Sequence, residues 1–145
     1  MVAALRIEIA SEIDIVAARQ EGRALAVALG FSPVAATMVA AAISELARNI
    51  LLYARRGEIV VERVDRAGCA GVCVTARDAG PGIADLALAM QPGYSTSGGL
   101  GLGLPGVQRL MDEFEIHTEL ARGTLVVARK WREPDAARGA NGARG

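Results

Sequence analysis

The chain has 145 residues, 52% of them apolar but only 3% aromatic, which predicts one domain with a core of Ala, Val, Leu and Ile. Sixteen basic residues cancel sixteen acidic ones, and no basic block stands before the arginine-dotted C-terminus, so nucleic acid is not expected as a partner. Two cysteines, Cys69 and Cys73, and one histidine, His117, argue against a disulfide framework or a structural zinc site and fit a reducing cytoplasm.

Leu5-Arg6-Ile7-Glu8-Ile9 alternates apolar and charged residues, the period of an edge or half-exposed strand, and the N-terminus carries no signal-peptide pattern. Ser11 or Asp14 caps a helix whose apolar stripe is expected at Ile13, Val16, Ala17, Leu25 and Leu29, with Gly30 ending it. Ser32-Pro33 supplies the cap and first-turn proline of a second helix, predicted to run to about Arg55 and to be closed by Gly57. The longest apolar run, 34–43, is too short to cross a bilayer, so no membrane partner is expected.

Residues 58–64 and 70–76, rich in β-branched side chains, predict an antiparallel hairpin across Asp65-Arg66-Ala67-Gly68. A helix follows over 104–111, with Pro105 tolerated in its first turn. Residues 114–120 and 124–131 predict a second hairpin across Ala121-Arg122-Gly123. Beyond Glu133 there is only Pro, Asp, Ala, Arg, Gly and Asn without an apolar pattern, so 1–132 is expected to be the domain and 133–145 a disordered tail. The element order predicts an α/β (α+β) two-layer sandwich, a mixed and mostly antiparallel sheet covered on one face by about three helices.

Two stretches carry chemistry. In the first, Asp78-Ala79-Gly80-Pro81-Gly82-Ile83 is followed by Ser95-Thr96-Ser97-Gly98-Gly99-Leu100-Gly101-Leu102-Gly103. Glycines without a Cβ let backbone amides approach a ligand, and a helix N-terminus just after them suits phosphate. Asp78, an acceptor-only group set well back from those amides, suits the amino edge of a base. Familiar phosphate loops do not match. The only lysine is Lys130, so a P-loop is excluded; the glycines follow a loop rather than a strand, unlike a dinucleotide fingerprint; and the His-Arg-Asp set of eukaryotic-type kinases is absent.

The second stretch is Ser44-Glu45-Leu46-Ala47-Arg48-Asn49. Glu45 and Asn49 are four apart and project from one helix face with Arg48 beside them, whereas Ile43, Leu46, Ile50 and Tyr53 are spaced to face the sheet. A carboxylate can take a proton, and an amide oxygen is a hard ligand for Mg²⁺. A solvated polar stripe fits the same spacing.

Together these motifs resemble the N, G1 and G2 boxes of the GHKL ATPase/kinase superfamily, whose domains share the Bergerat fold. Within it, Asp14-Ile15-Val16-Ala17-Ala18-Arg19, 42–50 and 93–115 are similar to the RsbT-type serine/threonine switch kinases of bacterial stressosomes. The resemblance implies ATP and Mg²⁺ as cofactors. Asn49 would hold the metal, Glu45 would act as general base, and Arg48 would assist the phosphates. Asp78 and Thr124 would meet the adenine edge, with Gly80, Gly82 and Ile83 shaping its pocket. A short lid over about 92–101 and the amides of Gly99 to Gly103 would wrap the triphosphate; the hydroxyls of Ser95, Thr96 and Ser97 would either bind phosphate or cap the loop. It further implies a STAS-domain scaffold partner (RsbS/RsbR-like) phosphorylated on serine and an RsbU-type phosphatase activated by the freed kinase. Arg77 departs from the family pattern, in which an acidic residue often precedes the G1 aspartate. An RsbW-like anti-sigma kinase, or a nucleotide-gated binding module without transfer, is the alternative.

Overall fold

The computed structural model describes residues 4–91 and 103–133. Its elements are β1 (Leu5–Ile9), α1 (Glu12–Ala28), α2 (Pro33–Asn49) with a π-helical extension (Ile50–Ala54), β2 (Gly57–Arg66), β3 (Cys69–Asp78), α3 (Leu86–Ala89), α4 (Gly103–Leu110), β4 (Glu113–Glu119) and β5 (Gly123–Trp131). The strands form one sheet in the order β1-β2-β3-β5-β4. Every neighbouring pair is antiparallel, so the expected mixed sheet is wholly antiparallel among the described residues. β1 is an edge strand, as its alternating pattern predicts.

Alternation sends Ile59 and Val61 of β2, Val72, Val74 and Ala76 of β3, and Val126 and Ala128 of β5 to one face. There they join Ile43, Leu46 and Val107 of the helices in a single core. This is the two-layer α/β sandwich that the element order predicts. Of the expected tail, only Glu133 falls among the described residues.

Helix α1 starts at Ser11, where Asp14 reaches back to accept the Ala10 and Ser11 amides at 2.8 and 2.9 Å. Its phase differs from the expected stripe. Ile15, Ala18, Gly22, Leu25 and Ala26 are buried, while Ile13 and Val16 are exposed. Gly22 and Ala18 carry little hydrophobic signal, yet they let α1 lie close to α2: a Cβ on Gly22 would run into Ile43.

Helix α2 begins with the Ser32 side chain accepting the Ala35 amide at 3.1 Å and Pro33 in the first turn. Its far end departs from expectation in two ways. The π turn over Ile50–Ala54 adds residues per turn, which rotates the side chains out of helical phase. Ile50 is therefore buried but Tyr53, expected to face the sheet, is 55% exposed. The turn ends at Arg55 with φ 74°, and Gly57 opens β2 instead of closing the helix. The stretch Pro33–Tyr53, which is α2 and most of the π turn, has 21 residues, longer than the apolar run suggests and enough by length and composition to cross a membrane. Half of its most apolar window is buried in the protein, as befits a core helix.

The first hairpin turns on two residues, Ala67 (φ 52°) and Gly68 (φ 78°), tighter than the expected four. The short helix α3 was not anticipated. Asp85 caps it by accepting the Leu88 amide at 3.0 Å.

Candidate functional site

A cavity of about 390 Å³ opens between the π turn, the C-terminal end of β3, the 81–85 loop, α3 and the start of α4. Leu46, Ile50, Ala76, Leu88, Leu104 and Val126 make its apolar wall, and Asn49, Asp78, Gly103 and Thr124 bring polar atoms to it. A mostly apolar pocket with a few convergent polar groups is the usual form of a small-molecule site.

β3 delivers Asp78 in the last strand register, directly opposite Thr124 of β5. Asp78 Oδ1 accepts the Gly80 amide at 2.9 Å, which turns the chain into the 80–83 loop. Among the described residues the second carboxylate oxygen takes no hydrogen bond. Two glycines make this corner possible. Gly82 has φ 79°, and a Cβ there would lie 2.6 Å from the Glu119 carbonyl. Gly123 has φ 122°, and its Cβ would collide with the Asp78 carbonyl. Both sit in the left-handed region that side chains rarely adopt.

The 80–83 loop is fastened to the β4–β5 hairpin by two bonds. The Ala121 amide donates to the Pro81 carbonyl at 2.9 Å, and the Ile83 amide donates to Thr118 Oγ1 at 2.8 Å. Thr118 Oγ1 also lies 3.0 Å from Thr124 Oγ1. Sequence reading missed Thr118. Its signal was the alternation Phe114, Ile116, Thr118, which puts a hydroxyl on an otherwise apolar face. Tyr53, Leu88 and Ala89, which also line the cavity, were missed because the π turn and α3 were.

Glu45 is 3% exposed, the one buried charged side chain among the described residues, so the solvated-stripe reading fails. Its Oε1 accepts the amide of Gly103, the first residue of α4, at 3.2 Å. The buried carboxylate thus sits at the positive end of a helix, where an unpaired donor satisfies it. Asn49 lies one turn further along α2, on the cavity wall. Arg48 is not brought into the lining. Its guanidinium is half-exposed, 3.9 Å from Glu12 on α1. Arg77 likewise stays outside, largely exposed and 4.0 Å from Glu58. His117 is exposed beside Glu115.

The expected phosphate-side residues Ser95, Thr96, Ser97, Gly98, Gly99, Leu100, Gly101 and Leu102, and the lid over 92–101, lie outside the described residues. Among the described residues no group of three His, Cys, Asp or Glu side chains could hold a metal alone. A cation here would need oxygens from a bound ligand beside Asn49, which is how Mg²⁺ commonly binds with phosphates.

Residues 9–130 match the family model of the histidine kinase-like ATPase domain. The chain is also 53% identical over 125 residues to serine/threonine-protein kinase RsbT of Bacillus subtilis (strain 168), covering 86% of this chain and 94% of that protein. The antiparallel sheet, the Asp78 corner and the Glu45–Asn49 helix face are accordingly parts of an ATP-using domain. The chain belongs to the histidine kinase-like ATPase family and, within it, to the RsbT family of partner-switching serine/threonine-protein kinases.

Proposed function

We propose that the chain transfers the γ-phosphate of ATP to a serine on a STAS-domain scaffold protein of the RsbS/RsbR kind. Once released from that scaffold, in the cytoplasm, it binds and activates an RsbU-type phosphatase. The observation that carries the reading is the placement of Glu45. A buried carboxylate touches the first amide of α4 and stands one helical turn from Asn49 on the cavity wall.

Each residue then has a distinct task. Asp78 accepts from the adenine amino group, with Thr124 on the same edge. The 80–83 loop and the apolar wall enclose the base. Asn49, an uncharged hard ligand, would hold Mg²⁺ together with the nucleotide phosphates, and the cation would neutralise charge on them. Glu45 takes the proton from the attacking serine hydroxyl while its oxygen bonds to the γ-phosphorus. The bond from that phosphorus to the β,γ-bridging oxygen breaks, and ADP leaves with that oxygen. Phosphoryl transfer asks for positioning and charge stabilisation more than covalent help, so a site lacking a lysine is chemically sufficient.

Transfer of label from γ-³²P-ATP to a purified STAS-domain partner tests the proposal. Acid-stable label, present with the parent chain and lost with Glu45→Gln, supports a serine kinase. Acid-labile label, or equal labelling by both chains, contradicts it.

A further inference from the structure

The Thr118 hydroxyl has three neighbours. It accepts from the Ile83 amide at 2.8 Å, lies 3.0 Å from Thr124 Oγ1, and lies 3.4 Å from the Gly123 carbonyl. A hydroxyl has one proton to give and two lone pairs to fill. The Ile83 amide takes one lone pair, so the question is where the proton goes. Hydroxyl-to-oxygen bonds fall at roughly 2.5–3.0 Å, which favours Thr124 over the more distant carbonyl.

If Thr118 donates to Thr124, then Thr124 uses a lone pair inside the hairpin and keeps its own proton for the cavity it lines. Asp78, directly across the strand pair, offers an acceptor. The corner therefore presents an acceptor beside a donor. The Watson–Crick edge of adenine presents the complement, an N6 amino donor beside an N1 acceptor. Guanine presents the reverse, O6 beside an N1–H.

We propose that Thr118 is a specificity-determining positioning residue: by donating to Thr124 it aims the Thr124 proton into the cavity and so tunes the site to the N1 acceptor of adenine. Contact with N1 is direct or through one water. The inference rests on the ATP-binding reading above and goes beyond it, because Thr118 does not line that cavity. A second effect of Thr118, fastening the 80–83 loop through Ile83, acts on every nucleotide alike. The two roles are thereby separable.

The test compares the affinities of ATP and 1-deaza-ATP, in which C–H replaces the N1 acceptor, for the parent chain, Thr118→Val and Thr118→Ser. The parent should bind ATP about tenfold more tightly than the analogue, the value of one oriented hydrogen bond. Thr118→Ser should keep that ratio, and Thr118→Val should bring it close to one. A Thr118→Val chain that binds both ligands more weakly with the ratio intact overturns the proposal and leaves only the loop-fastening role. Equal binding of the two ligands by the parent overturns it without any variant. A parent that binds no ATP overturns the nucleotide reading beneath it, a distinguishable failure.

Discussion

Glu45 Oε1 and the Gly103 amide meet at 3.2 Å, joining the last turns of α2 to the first residue of α4. The contact ties α2 to α4 across the edge of the cavity. It also gives one of the free N–H donors at the start of α4 to a side chain.

Glu45→Gln should leave this contact standing, since the amide oxygen still accepts from Gly103. Folding and ATP affinity are then expected to stay close to those of the parent. Transfer should fall by roughly 10²–10⁴, the usual worth of a general base. Stopped assays of partner phosphorylation, run beside ATP titrations, check both halves. A variant that transfers at the parental rate would make Glu45 a structural residue only.

Asp78→Asn replaces an acceptor with a group that can turn a donor toward the adenine amino group. The bond to the Gly80 amide survives through the amide oxygen, so the corner should hold. ATP should bind roughly tenfold to a hundredfold more weakly, as for loss of a charged hydrogen bond. Unchanged affinity by calorimetry would remove Asp78 from the base pocket.

The Asp78-Ala79-Gly80-Pro81-Gly82 corner was legible in sequence because its geometry is local. A carboxylate bonds the amide two residues on, and glycine supplies the positive φ at Gly82. The four-residue spacing of Glu45 and Asn49 was legible for the same reason. Burial of Glu45 was not, since it depends on Gly103, 58 positions away in sequence. Large apolar side chains are a poor guide to the phase of α1. In a core rich in small residues, Ala18 and Gly22 mark the packed face, while Ile13 and Val16 face outward. Tyr53 departs from its helical-wheel position because the wheel has no provision for a π turn.

Gly123→Ala should destabilise the domain by roughly 2–4 kcal/mol, the sum of left-handed strain and a collision with the Asp78 carbonyl. Urea denaturation measures the loss. ATP affinity should fall as well, because the collision lies at the register that pairs Asp78 with Thr124. A stable variant with parental affinity would contradict the tight packing of this corner.

Away from the cavity, Trp131 Nε1 donates to Glu113 at 2.9 Å, and Arg66 lies over the indole ring at 4.4 Å. Hydrogen bonds from Arg66 and then Trp131 hold the Glu113 carboxyl below its ordinary value of 4.5. A depressed folded value means that the unfolded chain binds the proton more readily. The stabilisation is therefore complete above about pH 4.5 and is lost as pH falls through the folded value. Urea midpoints read from the single tryptophan should separate the parent from Glu113→Gln at neutral pH and converge in acid. A gap that does not close on acidification would contradict this account.

The most direct measurement is the intact mass of a cognate STAS-domain protein after incubation with this chain and Mg-ATP. The account predicts the mass of one added phosphate, appearing with the parent chain and, at an ATP concentration that just saturates the parent, sharply reduced with Asp78→Asn. An unchanged partner mass, in the presence of measured ATP binding, would contradict the kinase reading and leave a domain whose nucleotide serves binding alone.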